Sequence, residues 1–242
     1  MKRGLKIACV LAYAALCAPA TLVAQEVSAD SIISACTEAM GGRAAVDALR
    51  TLRLRYRLPD HGGPSLKLIK RPNLYRAEPD IVFDGARAAI LARSPLPDGT
   101  TRPAELVPAE ELKDFEMQIG WLFPAFFDYP ARHVGVESID GIETHKLEVV
   151  LPLGARLTYY IDAATHLPLM VESNVTLHGK HTRYFRRFGD FRENAGVLYP
   201  HWFTYFSHRT KELYIVTIDE LDLNVRLDDS LFAVPDGLDE PN

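Results

Sequence analysis

Cysteine is scarce in this sequence. Of its three, Cys9 and Cys17 fall in a leader that reads as removable, so Cys36 stands alone and no intrachain disulfide is expected even in an oxidising compartment. Cys36 shares the apolar side of a helical pattern with Ile32 and reads as a small buried hydrophobe. Beyond the leader no uninterrupted apolar run reaches the roughly 18 residues of a membrane-spanning helix. Basic runs are missing too. Losing Lys2, Arg3 and Lys6 lowers the 27 Lys and Arg by three against 32 Asp and Glu, which takes the formal charge from -5 to -8. An acidic surface without a basic stripe excludes nucleic acid as a partner.

The common catalytic signatures are absent as well. There is no Gly-x-Ser-x-Gly elbow, no phosphate-binding Gly-rich loop, no His-Glu-x-x-His and no Cys-x-x-Cys. His178 and His181 have a ligand-like spacing, but Gly179-Lys180 between them reads as a hairpin turn and no third ligand presents itself. The carboxylate pairs Glu110-Glu111, Asp228-Asp229 and Asp239-Glu240 fall where a helix start or a solvated terminus explains them. The expectation is a protein that is not an enzyme and holds no metal or other cofactor; a hydrolase with an unrecognised constellation is a distant third reading.

What is present begins with an export signal. Lys2, Arg3 and Lys6 precede an apolar stretch over 7–16, then Pro19 and small residues ending at Ala24. At roughly 10 residues that stretch is too short to span a bilayer, which needs about 20. Cleavage is expected after Ala24, with Ala20 as the alternative, and Leu16 before Cys17 argues against lipidation. Residues 1–24 are therefore read as a signal peptide and 25–242 as one domain, free in a periplasm and not membrane-spanning.

In that domain the spacing predicts helix over 29–49, broken at Gly41-Gly42, with Ser28 or Asp30 as cap. From Leu52 the period changes to two. Leu52, Leu54, Tyr56 and Leu58 alternate with arginines; Leu66, Leu68 and the stem of Lys70 suggest the next strand; Leu157, Tyr159 and Ile161 alternate with Arg156, Thr158 and Tyr160. Asp84-Gly85 and Asp140-Gly141 are hairpin dipeptides. Near the end Tyr214, Val216 and Ile218 hold one phase and Leu221, Leu223 and Val225 the other, so a bulge or strong bend is expected between Ile218 and Leu221. The fold class is mainly β, a strongly curved antiparallel sheet with helices.

One segment, 96–130, interrupts the strands. An amphipathic helix over 108–119, ended by Gly120, turns Leu112, Phe115 and Ile119 to one side, and the densest apolar run of the domain follows: Trp121, Leu122, Phe123, Pro124, Ala125, Phe126 and Phe127. Trp202, Phe203, Tyr205 and Phe206 put aromatics on both faces of a late strand. Two readings stay open: an apolar cavity with its cover, or an ordinary core. On the first, Leu112, Phe115, Ile119, Trp121, Phe123, Phe126, Phe127, Tyr159, Trp202 and Phe206 contact the ligand, with the aromatic run closing the mouth against Trp202 or Phe206.

The order of short motifs resembles a known superfamily. Met40-Gly41-Gly42, Lys70-Arg71-Pro72-Asn73 leading to Tyr75-Arg76, Phe83-Asp84-Gly85, Val136-Glu137-Ser138-Ile139-Asp140-Gly141, Tyr159-Tyr160-Ile161-Asp162 and the closing stretch Asp229-Ser230-Leu231-Phe232-Ala233-Val234-Pro235 are similar to the LolA/LolB-like periplasmic lipoprotein carriers. The resemblance covers nearly the whole exported chain. It implies an incomplete antiparallel β-barrel covered by helices, which accepts acyl chains on its concave face and has no catalytic residues. The chain departs from the known shuttles in its greater length, in the size of the 96–130 insertion and in lacking the lipidation cysteine of the anchored receptor. The function expected is carriage or binding of a lipid, or of the acyl part of a lipoprotein. The alternative is a ligand-free envelope scaffold or sensor that docks a partner protein through the aromatic segment.

Overall fold

The computed structural model describes residues 27–59, 63–78, 81–91, 103–177, 180–206 and 210–238. Residues 1–24, expected to be an export signal, the first part of the 96–130 segment, His178 and Asp239-Glu240 lie outside these residues. Ser28 opens helix α1 (Ala29–Ala39) by accepting the Ser31 amide N–H at 3.1 Å, which satisfies one of the unpaired donors of the first turn. A turn at Met40-Gly41-Gly42 leads to α2 (Arg43–Ala48). Ile32, Cys36, Met40 and Val46 are buried, and burial pushes the Cys36 thiol up to about 12, leaving it unreactive.

Strands follow in two meanders. The first is β1 (Thr51–Arg57), β2 (Pro64–Lys70), β3 (Leu74–Glu78), β4 (Ile81–Phe83), β5 (Ala88–Ile90) and β6 (Glu105–Leu106). After helix α3 (Leu112–Leu122) comes the second: β7 (Ala131–Ile139), β8 (Ile142–Val150), β9 (Arg156–Asp162), β10 (Pro168–Leu177), β11 (Lys180–Asn194), β12 (Val197–Phe206) and β13 (Leu213–Leu223). Within each meander every strand pairs antiparallel with its sequence neighbour, and the two meet where β1 pairs with β13. The order β6-β5-β4-β3-β2-β1-β13-β12-β11-β10-β9-β8-β7 describes an open sheet with β6 and β7 at its edges, an incomplete barrel.

Local chemistry explains the turns and the seam. Asp140 and Gly141 adopt positive φ of 51° and 84° between β7 and β8, as a tight right-twisted hairpin requires. Along the seam Arg55 faces Glu220 while Tyr56 faces Ile218, so Asp219 is the extra residue of a bulge. That is the phase change expected between Ile218 and Leu221, and it bends the sheet where the meanders join.

The expected second strand is β2, in which Lys67 and Ile69 lie opposite buried Leu54 and Leu52 while Leu68 is buried on the other face. One expectation is corrected: the helix does not stop at Gly120 but runs to Leu122. A Cβ at Gly120 would come within 2.3 Å of the Leu157 side chain, so glycine serves there as a close-approach residue that brings the helix down onto β9.

Candidate functional site

Helix α3 lies on the concave face with Leu112, Phe115, Met117, Ile119, Trp121 and Leu122 buried. Its far end is tied down by hydrogen bonds rather than by packing alone. The Tyr159 hydroxyl donates to the Gly120 carbonyl and accepts from the Ala125 amide, both at 2.8 Å. Tyr199 donates to the Leu122 carbonyl, and the Trp121 indole N–H donates to Ser173 Oγ at 3.2 Å. Arg71 completes the attachment. Its guanidinium donates to both carboxylate oxygens of Asp128 (2.9 and 2.8 Å) and to the carbonyls of Val46 and Leu49, and lies over the Phe123 ring at 4.4 Å. Phe126 meets Tyr159 edge-on at 5.0 Å and Phe127 at 4.6 Å.

Toward the start of α3 the packing opens. A cavity of about 710 Å³ lies between Asp114, Phe115, Gln118 and Trp121 of the helix and the sheet. Tyr56, Lys67, Tyr75, Tyr184, Arg186 and Tyr205 supply the floor from β1, β2, β3, β11 and β12, and Leu58, Ile81, Phe185, Phe206 and Leu213 also line it. Phe185, Phe206 and Leu213 are large apolar side chains exposed to solvent. This volume falls within the range of small-molecule sites, and the lining is mainly aromatic with a few convergent polar groups.

Among those polar groups Arg186 is unusual. It is 7 % exposed, its Cζ sits 4.6 Å from the Trp121 ring centroid and 4.5 Å from that of Phe203, and burial holds its pKa below the usual arginine value. Among the described residues it has neither a carboxylate partner nor a hydrogen bond. Asp114 is the one carboxylate in the lining, and its pKa rises to about 6 because burial disfavours the charged form and Glu111 adds negative charge nearby.

No protein-family profile matches the chain, and no curated protein does. Solved structures do. A LolA superfamily protein from Nitrosomonas europaea superposes with a TM-score of 0.50 at 15% identity, covering 86% of this chain and 98% of that one. The fold is LolA-like. A DUF1329 family protein from Desulfovibrio piger (TM-score 0.48, 12% identity, 84% and 96% covered) and a putative outer membrane lipoprotein-sorting protein domain from Vibrio parahaemolyticus (0.39, 13%, 76% and 88%) are more distant. No helix among the described residues is long and apolar enough to cross a membrane.

Within this LolA-like fold the ten candidate contacts separate into three groups. Phe115, Trp121 and Phe206 line the large cavity. Leu112, Ile119, Phe123, Phe126, Phe127 and Tyr159 do not; they join the core cluster under and beyond α3 or pack against it. Trp202 belongs to neither. It stands opposite Gly189 on the neighbouring strand, where its indole occupies the space a side chain would fill: a Cβ on Gly189 would meet the ring at 2.1 Å. The expected closure of the aromatic run against Trp202 is therefore corrected, because Trp202 is committed to that glycine while Phe203, the next residue, meets Arg186 and Tyr56. Arg186, Tyr56, Tyr75, Tyr184 and Tyr205 line the cavity without being among the ten candidates. The alternation of Tyr184, Arg186 and Phe188 was the signal available for the first.

Glu116 gives this region a pH dependence. Burial pushes its carboxyl up to about 7, only partly offset by the Leu153 amide, which donates to both oxygens at 3.2 and 3.0 Å. Between the unfolded value near 4.5 and the folded value near 7 the native state binds the extra proton, so this group's contribution to stability falls as pH rises through that window. His145 acts in the opposite sense, since burial lowers its pKa, and the comparison must be made by difference. Glu116→Gln is expected to be more stable than wild type at pH 8 by about 1–2 kcal/mol, with the gap closing by pH 5. Melting temperatures of both proteins across that range check it; a gap that does not depend on pH would count against it.

Proposed function

We propose that the chain is an exported, non-enzymatic binding protein that carries a lipid, or the acyl part of a lipidated molecule, in the cavity between α3 and the concave sheet. The cavity carries this reading: about 710 Å³ of space with tyrosine and phenylalanine walls and an apolar exposed rim. Each methylene moved from water into such a space contributes about 0.8 kcal/mol, so a chain of modest length is retained without specific polar chemistry. The export signal over 1–24 and the LolA-like fold are consistent with a periplasmic role and with lipoprotein cargo.

Protein purified without detergent should release lipid on solvent extraction, detectable by mass spectrometry. After delipidation, a fatty acid should bind saturably and change the emission of Trp121, which lines the cavity, while Trp202 is held against Gly189. Absence of extractable lipid together with absence of saturable binding would reject the proposal. The rival role as a partner-docking scaffold has its own observation, the exposed apolar group Phe185, Phe206, Leu213 and Ile215. The 121–127 run on which that rival first rested is largely buried.

A further inference from the structure

The geometry points to Arg186 as an anion anchor: the cavity takes a single-chain amphiphile whose ionised carboxylate or phosphate head is held by the Arg186 guanidinium. This inference rests on the acyl-binding reading above and specifies the head of the ligand.

The first support is an imbalance. A guanidinium has five N–H donors and stays charged, yet at 7 % exposure Arg186 has no acceptor among the described residues. The Trp121 and Phe203 rings, at 4.6 and 4.5 Å, stabilise the charge through their π faces but accept none of its donors in the way an oxyanion does. The groups acting on Arg186 are Tyr56, Tyr75, Tyr199 and Tyr205, all neutral hydroxyls at neutral pH, and no carboxylate is among them. The Arg186 nitrogens are not fully enclosed and open on the cavity, where an anion that brings two oxygens to one guanidinium satisfies donors that no group among the described residues takes.

The second support is where the unpaired charge sits. Arg71, the other buried arginine, is saturated by Asp128 and two carbonyls and lies outside the large cavity. Arg183 lines the cavity but is paired with Glu172. Arg186 is the buried arginine that lines the cavity, beside the aromatic floor that would receive a hydrocarbon chain. Lys67 lies on the same floor, over the Tyr75 ring at 5.7 Å, and Asp114 is the one carboxylate among the lining residues.

Isothermal titration of the delipidated protein with decanoate, decyl phosphate and decanol, each below its aggregation concentration, tests this. Wild type is expected to bind at least one of the anions roughly ten-fold or more tighter than decanol. Arg186→Met should bind that anion no more tightly than it binds decanol, so the anion-to-decanol ratio falls to about one, while Arg186→Lys should retain part of the preference. Whichever anion depends on Arg186 identifies the head as carboxylate or phosphate. Equal affinity for all three in wild type, or a preference that survives in Arg186→Met, overturns the anchor while leaving the acyl carrier standing. Binding of none of the three rejects the carrier itself. Should Arg186→Met not fold, the wild-type comparison and Arg186→Lys still decide: no preference in wild type, or full loss of binding to all three in the lysine variant, overturns the anchor.

Discussion

Arg71→Met is expected to destabilise the protein by about 3–5 kcal/mol, the range found when one partner of a buried ion pair is removed. The arginine side chain is 3% exposed and Asp128 18%, so the substitution leaves a mostly buried carboxylate without its counter-charge. It also strips the Val46 and Leu49 carbonyls of their donor and removes the cation from the Phe123 ring. These contacts join the end of α2, the start of the β2–β3 turn and the aromatic turn after α3. The loss should therefore appear in global unfolding by urea rather than as local fraying. Asp128→Asn, which keeps hydrogen-bonding capacity and leaves the arginine its two carbonyl acceptors, should cost less. Equal and small losses in the two variants would show that Arg71 does not hold the turn.

Phe126→Asp should prevent folding. Phe126 is 4% exposed, stacks edge-on against Tyr159 and touches Phe127. An aspartate there loses that packing and places a charge where, among the described residues, no cation lies over the ring it replaces. The cost of several kcal/mol approaches the entire stability of a typical domain, about 5–15 kcal/mol. Phe206→Asp makes the same chemical change at the cavity rim, where the residue is 41% exposed, and should leave the fold intact. Circular dichroism and size-exclusion chromatography separate the outcomes. A folded, monodisperse Phe126→Asp protein would return the aromatic turn to the status of a movable cover.

These contrasts show what the residues alone could reveal. Alternation gave the sheet because one face of each strand is buried, and the bulge at Asp219 was legible because a phase change in Val216, Ile218, Leu221 and Leu223 has no other economical explanation. The hairpin at Asp140-Gly141 was legible because few residue pairs accept positive φ twice in succession. The continuation of α3 through Gly120 was not, since the local rule that glycine ends helices is overridden by a contact with Leu157, distant in sequence. In the candidate site, adjacent aromatics at Trp202 and Phe203 could not be assigned to faces until Gly189 was known to lie opposite the first. Arg186 was hidden for a related reason. Beside Arg183 and Arg187 it reads as one of a solvated row, and only pairing with Val171 across the sheet turns it inward with Tyr184 and Phe188.

The single seam between the meanders has a consequence for how the chain reaches this structure. Every other strand pairing joins sequence neighbours, so each meander closes loops far shorter than the one the seam must close. The β1–β13 pairing instead brings together residues such as Thr51 and Val225, 174 positions apart. Its closure is the slow, high-contact-order step, and it gains little until both meanders are ordered enough to present matching edges. A chain stalled before that step would expose the inner edges β1 and β13 and leave Tyr56 without its contact on Phe203, so the cavity beneath α3 would be among the last features to form.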